Sequence, residues 1–160
     1  MSEVFEGVLS STDVATAGQK LAEISPKAPF ATAPLGENLT VTYRSGSRYG
    51  VPGAVKVEGL AAAMSMALGS VLQVKYDSRT GYRSAILWNG GQAIAEFGAE
   101  DELFVPLDED GEPVASATLR PRADLKSDEE YETAKNAIEL GLDAFGVGTW
   151  GTLRRFIANS

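Results

Sequence analysis

Two residue types are missing from this sequence. It has no cysteine and no histidine in 160 residues. Without cysteine there are no disulfides, no thiol nucleophile and no thiolate metal site. Without histidine the chain lacks the side chain that titrates near neutrality and the commonest metal ligand. Serine triads, Cys-His dyads, imidazole acid–base catalysis and ordinary zinc sites are excluded together. Only carboxylate, lysine, tyrosine or backbone chemistry remains, so a non-enzymatic role is expected and no cofactor or metal is called for.

A third absence is local. From Ser84 to Leu119 there is no Lys and no Arg, yet eight acids stand there: Glu96, Glu100, Asp101, Glu102, Asp108, Glu109, Asp110 and Glu112. The whole chain has 22 acids against 14 bases, a net charge of −8. Setting the eight aside leaves 14 acids against 14 bases, so this one segment holds the entire excess. A fourth absence is of long apolar runs, since none approaches the roughly 20 residues that span a bilayer. The first residues, Met1-Ser-Glu-Val-Phe-Glu, lack the basic and apolar regions of a secretory signal. A cytoplasmic protein without a membrane partner is the expectation.

What is present reads as one α+β domain over 1–160. The apolar fraction of 44% and charged fraction of 22% are globular values. Thr12 and Asp13 can cap a helix to about Ile24, with Val14, Ala17, Leu21 and Ile24 at helical spacing. Pro26, Pro29 and Pro34 predict an irregular connection. Leu39, Val41 and Tyr43 alternate with polar residues as a strand, and Ala54 to Val57 pairs with it as a second. Leu60 to Leu72 is an Ala-rich apolar stretch too long for a strand, which predicts a short buried helix.

From Leu72 the period becomes two. Strands are expected at 72–77, Tyr82 to Trp88, Ala93 to Phe97, Leu103 to Leu107 and Val114 to Leu119. Asn89-Gly90-Gly91 supplies a tight hairpin turn and Asp108-Glu-Asp-Gly111 another. Connections this short join antiparallel neighbours, so an antiparallel β-meander of about five strands follows. Ser127-Asp-Glu-Glu130 has the capping-box pattern, and Tyr131, Ala134, Ile138, Leu142 and Phe145 predict a long amphipathic helix behind it. Gly146 ends that helix, and Thr149 caps a last one burying Trp150, Leu153 and Ile157.

Several patterns imitate catalytic motifs without their context. Gly146-Val-Gly-Thr-Trp-Gly151 has the letters of a dinucleotide fingerprint, but it follows a helix rather than a strand, so it reads as a helix stop. Tyr131 and Lys135 have a dehydrogenase-like spacing without the glycine-rich turn that fold needs. In Asp108-Glu-Asp-Gly111 the glycine comes two positions too early for a calcium loop.

Three functional readings follow. The first is a non-catalytic acidic module of inhibitor or immunity type, docking Glu96, Glu100, Asp101, Glu102, Asp108, Glu109, Asp110 and Glu112 on a basic protein partner. Because Leu103 to Leu107 separates the two acid blocks, they form two corners rather than one face. The second is a phosphate or nucleic-acid binder using Arg44, Arg48, Tyr49, Lys75, Arg79 and Arg83, where bases alternate with tyrosines. The net charge opposes it. The third is a carboxylate-metal hydrolase around Asp108, Asp110, Asp124 and Lys126. Oligomeric state is open, and two charge clusters of opposite sign permit a dimer.

Overall fold

A computed structural model describes residues 4–25, 30–44, 57–77, 82–97, 103–105, 120–121 and 135–159. In chain order these form β1 (Val4–Ser10), α1 (Val14–Ile24), β2 (Phe30–Gly36), β3 (Leu39–Arg44), α2 (Val57–Leu68), β4 (Val71–Asp77), β5 (Tyr82–Asn89), β6 (Gln92–Phe97), β7 (Leu103–Val105), β8 (Arg120–Pro121), β9 (Lys135–Asn136), α3 (Ala137–Phe145) and α4 (Trp150–Asn159). The class is α+β. Six strands make one antiparallel sheet in the order β2-β3-β1-β4-β5-β6, and a three-stranded sheet has the order β8-β7-β9.

The larger sheet is covered on both sides. Phe5, Leu9, Leu39, Val41, Leu72, Val74, Tyr76, Ala85 and Leu87 point to one face and pack with Ile138 and Leu142 of α3 and Leu153 and Ile157 of α4. Val8, Phe30 and Val71 point to the other and pack with Ala17 and Leu21 of α1 and Val57, Leu60, Ala61 and Met64 of α2. The two-residue alternation of each strand sorts its side chains between these layers.

Local chemistry explains most boundaries. Asp13 caps α1, its carboxylate accepting from the Thr16 backbone N–H at 2.7 Å. That hydrogen bond holds the Asp13 pKa below its ordinary value of 3.8. Gly90 and Gly91 have φ of 59° and 85°, the sign a two-residue hairpin requires at both turn positions, and Asn89 pairs with Gln92 across it. Gly146 (φ 86°) ends α3, and Thr149 caps α4 by accepting from the Thr152 N–H at 3.2 Å. Within the fingerprint-like stretch, Gly146 is therefore a helix stop and Thr149 a helix cap.

Five expectations change. β1 was not foreseen, yet it is central and takes up β3 and β4 as neighbours. The proline-rich connection instead contains β2, whose Pro34 is tolerated because β2 lies at the sheet edge. Val57 opens α2 rather than closing a strand, and α2 stops at Leu68 because Gly69 turns left-handed (φ 85°). The meander continues through β4, β5 and β6, but β7 belongs to the smaller sheet.

The last change concerns α3, which begins at Ala137. Asn136 caps it in a capping box with Glu139, while Lys135 lies in β9. Ser127 to Glu130, Tyr131, Ala134, 54–56, 106–107 and the strand 114–119 lie outside the described residues.

Candidate functional site

A set of four charged side chains lies at one end of the large sheet, on the α1/α2 face. β3 descends to Arg44, β1 begins beside it with Glu6, and β4 carries Lys75 directly opposite Glu6. Arg44 Nε donates to Glu6 Oε2 at 3.2 Å, and Lys75 Nζ donates to Glu58 in the first turn of α2. Arg44, Glu6, Lys75 and Glu58 thus form a ladder of alternating sign across three strands and a helix end. The Arg44 side chain is only 7% exposed, and its guanidinium lies 5.0 Å from the Phe30 ring centre. Glu58 also places a negative charge at the positive end of α2, where the helix dipole favours it.

The chemistry of this ladder is that of a balanced network. Two cations and two carboxylates alternate, and the near-complete burial of Arg44 strengthens its contact with Glu6 by lowering the local dielectric. Such a network fixes the entry of α2 against the sheet.

The basic, tyrosine-interleaved set is divided by this geometry. Arg44 and Lys75 lie on the α1/α2 face. Arg83 pairs with Tyr76 in the β4–β5 register and lies on the opposite face, its guanidinium 5.6 Å from the Tyr76 ring centre. Tyr43 stacks with Phe5 at 6.4 Å and meets Phe156 edge-on at 5.0 Å, while Tyr76 meets Trp150 edge-on at 5.4 Å. These rings are packing elements between strands and α4. The sheet brings Arg44 and Lys75 together and separates Arg83 from both. Arg48, Tyr49 and Arg79 lie outside the described residues.

Of the acidic set, Glu96 is described. It stands exposed on β6, the edge strand of the large sheet, opposite Ile86. Leu87 pairs with Ala95 and Trp88 with Ala93, so β6 carries one extra residue, Ile94, as a bulge. A bulge and a charge on an edge strand both discourage pairing with another chain. Glu100, Asp101, Glu102, Asp108, Glu109, Asp110 and Glu112 lie outside the described residues, as do Asp124 and Lys126. β7, which separates the two acid blocks in sequence, pairs with β8 and β9.

Glu6 and Glu58 are the members of the ladder that a reading of charge along the chain passes over. Glu58 stands in sequence among the bases Lys56, Lys75, Arg79 and Arg83 and gives no sign there of its partner. Glu6 joins the set only once β1 is recognised as a strand. The available signal was the alternation of Phe5, Gly7 and Leu9 with Glu6, Val8 and Ser10.

No helix among the described residues is long and apolar enough to cross a membrane. The chain matches no family model, no curated protein and no solved structure.

Proposed function

We propose that this chain is a non-catalytic protein-binding module of inhibitor or immunity type, which neutralises a basic partner through the acidic segment 96–112. One observation carries the reading. The segment that holds the whole charge excess contains no Lys and no Arg. Glu96, at its start, is exposed to solvent on an edge strand. Eight acids in a segment without a base repel one another, and a basic surface would relieve that repulsion and be steered in quickly.

The two acid blocks are tested separately in the full chain. One variant reverses Glu100, Asp101 and Glu102 to Lys, and the other reverses Asp108, Glu109 and Asp110. Crosslinking in cells followed by mass spectrometry should capture a basic protein with the unmodified chain and lose it with at least one variant. The purified pair should associate more slowly as salt rises, because screening acts mainly on encounter. Equal capture of the same proteins by all three chains overturns the reading.

A further inference from the structure

Asparagine is followed by glycine once in this chain, at Asn89-Gly90, while Asn38, Asn136 and Asn159 precede Leu, Ala and Ser. The pair stands at the exposed tip of the β5–β6 hairpin, where Asn89 ends β5 and Gly90 begins the turn. Gly90 has φ 59°, and nothing lies within 4 Å of where its Cβ would be. Its backbone N–H donates no hydrogen bond among the described residues. An unhindered backbone nitrogen, open to water, therefore adjoins an exposed primary amide.

That amide helps to seat the hairpin. Asn89 Nδ2 donates to Ser70 Oγ at 3.2 Å, just past the end of α2. The Gly91 N–H donates to Ser65 Oγ at 2.8 Å within α2, and a Cβ at Gly91 would stand 2.8 Å from Met66 Cγ. The hairpin is thus fastened to α2 through a turn whose two-residue length places both donors.

We propose that Asn89 is a site of spontaneous deamidation, and that its product loosens the β5–β6 hairpin from α2. A base in the solvent takes the Gly90 amide proton, and the Gly90 nitrogen attacks Asn89 Cγ. The Cγ–Nδ2 bond breaks, Nδ2 leaves as ammonia with a proton from water, and a five-membered succinimide remains. Water then opens either imide carbonyl and gives aspartate or isoaspartate, with nothing oxidised or reduced. The reacting atoms belong to adjacent residues, so the attack is intramolecular and needs only backbone rotation at Asn89. That rotation takes Asn89 out of its extended conformation in β5. Gly90 and Gly91 favour the opening, because glycine regains more conformational freedom than any other residue.

The other asparagines lack this combination. Asn136 is 4% exposed, and its Oδ1 is held by the Glu139 N–H at 3.0 Å. Asn38 and Asn159 precede residues with a Cβ, which crowds the attacking nitrogen. Either product at Asn89 adds one negative charge and removes the donor to Ser70. Isoaspartate also lengthens the main chain by a methylene, which a two-residue turn cannot absorb without losing its register. The inference goes beyond the acidic-segment reading and uses none of the residues 96–112.

Ageing the purified full chain in mildly alkaline buffer at body temperature, followed by peptide mapping with mass spectrometry, tests it. Asn89 should exchange its amide for a carboxyl at least about tenfold faster than Asn38, Asn136 or Asn159. Isoaspartate should appear at the same position. Asn89→Gln, which would have to close a larger ring, should keep that peptide at its original mass. Hydrogen exchange at the Gly91 amide should be at least about tenfold faster in the aged chain than in the fresh one. The Asn89→Gln chain aged alongside should show no such change. Conversion at Asn89 no faster than at the other three overturns the inference. So does a fully converted chain whose Gly91 amide exchanges as it did before.

Discussion

The two faces of the large sheet are built on different principles. The face against α3 and α4 is apolar and aromatic, with Phe5, Tyr43, Tyr76, Trp150 and Phe156 meeting ring to ring. The face against α1 and α2 holds every buried polar residue of that sheet: Ser10, Thr40, Thr42, Gln73 and Ser84. It also holds the Arg44–Glu6 and Lys75–Glu58 ladder. Apolar packing tolerates exchange of one hydrophobe for another of similar volume, whereas a polar layer demands that each group find its partner. The first face therefore supplies bulk stability and the second fixes how α1 and α2 are seated.

The largest expected effect tests how tightly the apolar face is packed. Gly141 of α3 crosses β5 so closely that an added Cβ would stand 2.4 Å from the Ala85 Cβ and 3.3 Å from Leu72 Cδ1. Replacing a helical glycine by alanine ordinarily stabilises by about 1 kcal/mol. Here the sign should reverse, with Gly141→Ala costing about 3 kcal/mol because the helix must move off the sheet. Adding Ala85→Gly should recover most of that loss, as chemical denaturation of the single and double variants would show. If Gly141→Ala is stabilising, α3 does not sit this close to β5.

Elements with strong local chemistry were legible in the sequence. The Asp13 cap, the Asn89-Gly90-Gly91 hairpin, the Gly146 stop and the Thr149 cap act within a few residues, and the α+β class follows from them. What failed depended on neighbours distant in sequence. β1 is a strand partly because Gly7 leaves room for Phe5, whose ring would lie 2.7 Å from a Cβ at that position. β2 contains a proline that only its place at the edge accommodates.

For α3 the start seen in the described fold is set by Asn136, and the expected capping box at Ser127 lies outside the described residues. Asn136-Ala-Ile-Glu139 satisfies the capping rule as well, and it caps α3. The charge ladder was the least legible feature. Glu6, Arg44, Glu58 and Lys75 are brought together by strand order, which no spacing along the chain encodes. The β4–β5 register, which pairs Arg83 with Tyr76, sends Arg83 to the opposite face from Arg44 and Lys75.

The ladder is the next place to test the comparison. Glu6→Gln deprives the nearly buried Arg44 guanidinium of a charged partner and should cost about 1–2 kcal/mol, less than a fully buried pair because Glu6 retains some exposure. Removing both charges with well-packed hydrophobes, Glu6→Leu with Arg44→Met, should return stability to within about 1 kcal/mol of the unmodified chain. The exposed Lys20–Glu23 pair provides the scale, since breaking it should change stability by no more than about 0.5 kcal/mol. A double variant as unstable as Glu6→Gln would mean that the ladder holds α2 in a way apolar packing cannot replace. Unchanged partner capture by the folded double variant would separate this structural network from the acidic segment.

A smaller effect than that of Glu6→Gln concerns a hydroxyl on the polar face. Thr42 is fully buried at the centre of the α1/α2 face, and its Oγ1 makes no hydrogen bond to any described residue. It sits in register with Val8 on β1 and Thr32 on β2. A buried hydroxyl without a partner loses its hydration and gains nothing in return, so removing it while keeping the shape should help. Valine has the same branching and suits a central strand. Thr42→Val should therefore stabilise by about 1 kcal/mol in denaturant titration, the opposite sign from a change to a hydrogen-bonded threonine. Thr40 supplies that contrast on the same strand and face, because its Oγ1 donates to the Thr12 carbonyl at 2.8 Å. Thr40→Val should cost about 1 kcal/mol by leaving that carbonyl without its donor. If both changes destabilise alike, the Thr42 hydroxyl is satisfied in solution, and the polar face is as fully paired as the apolar face is fully packed.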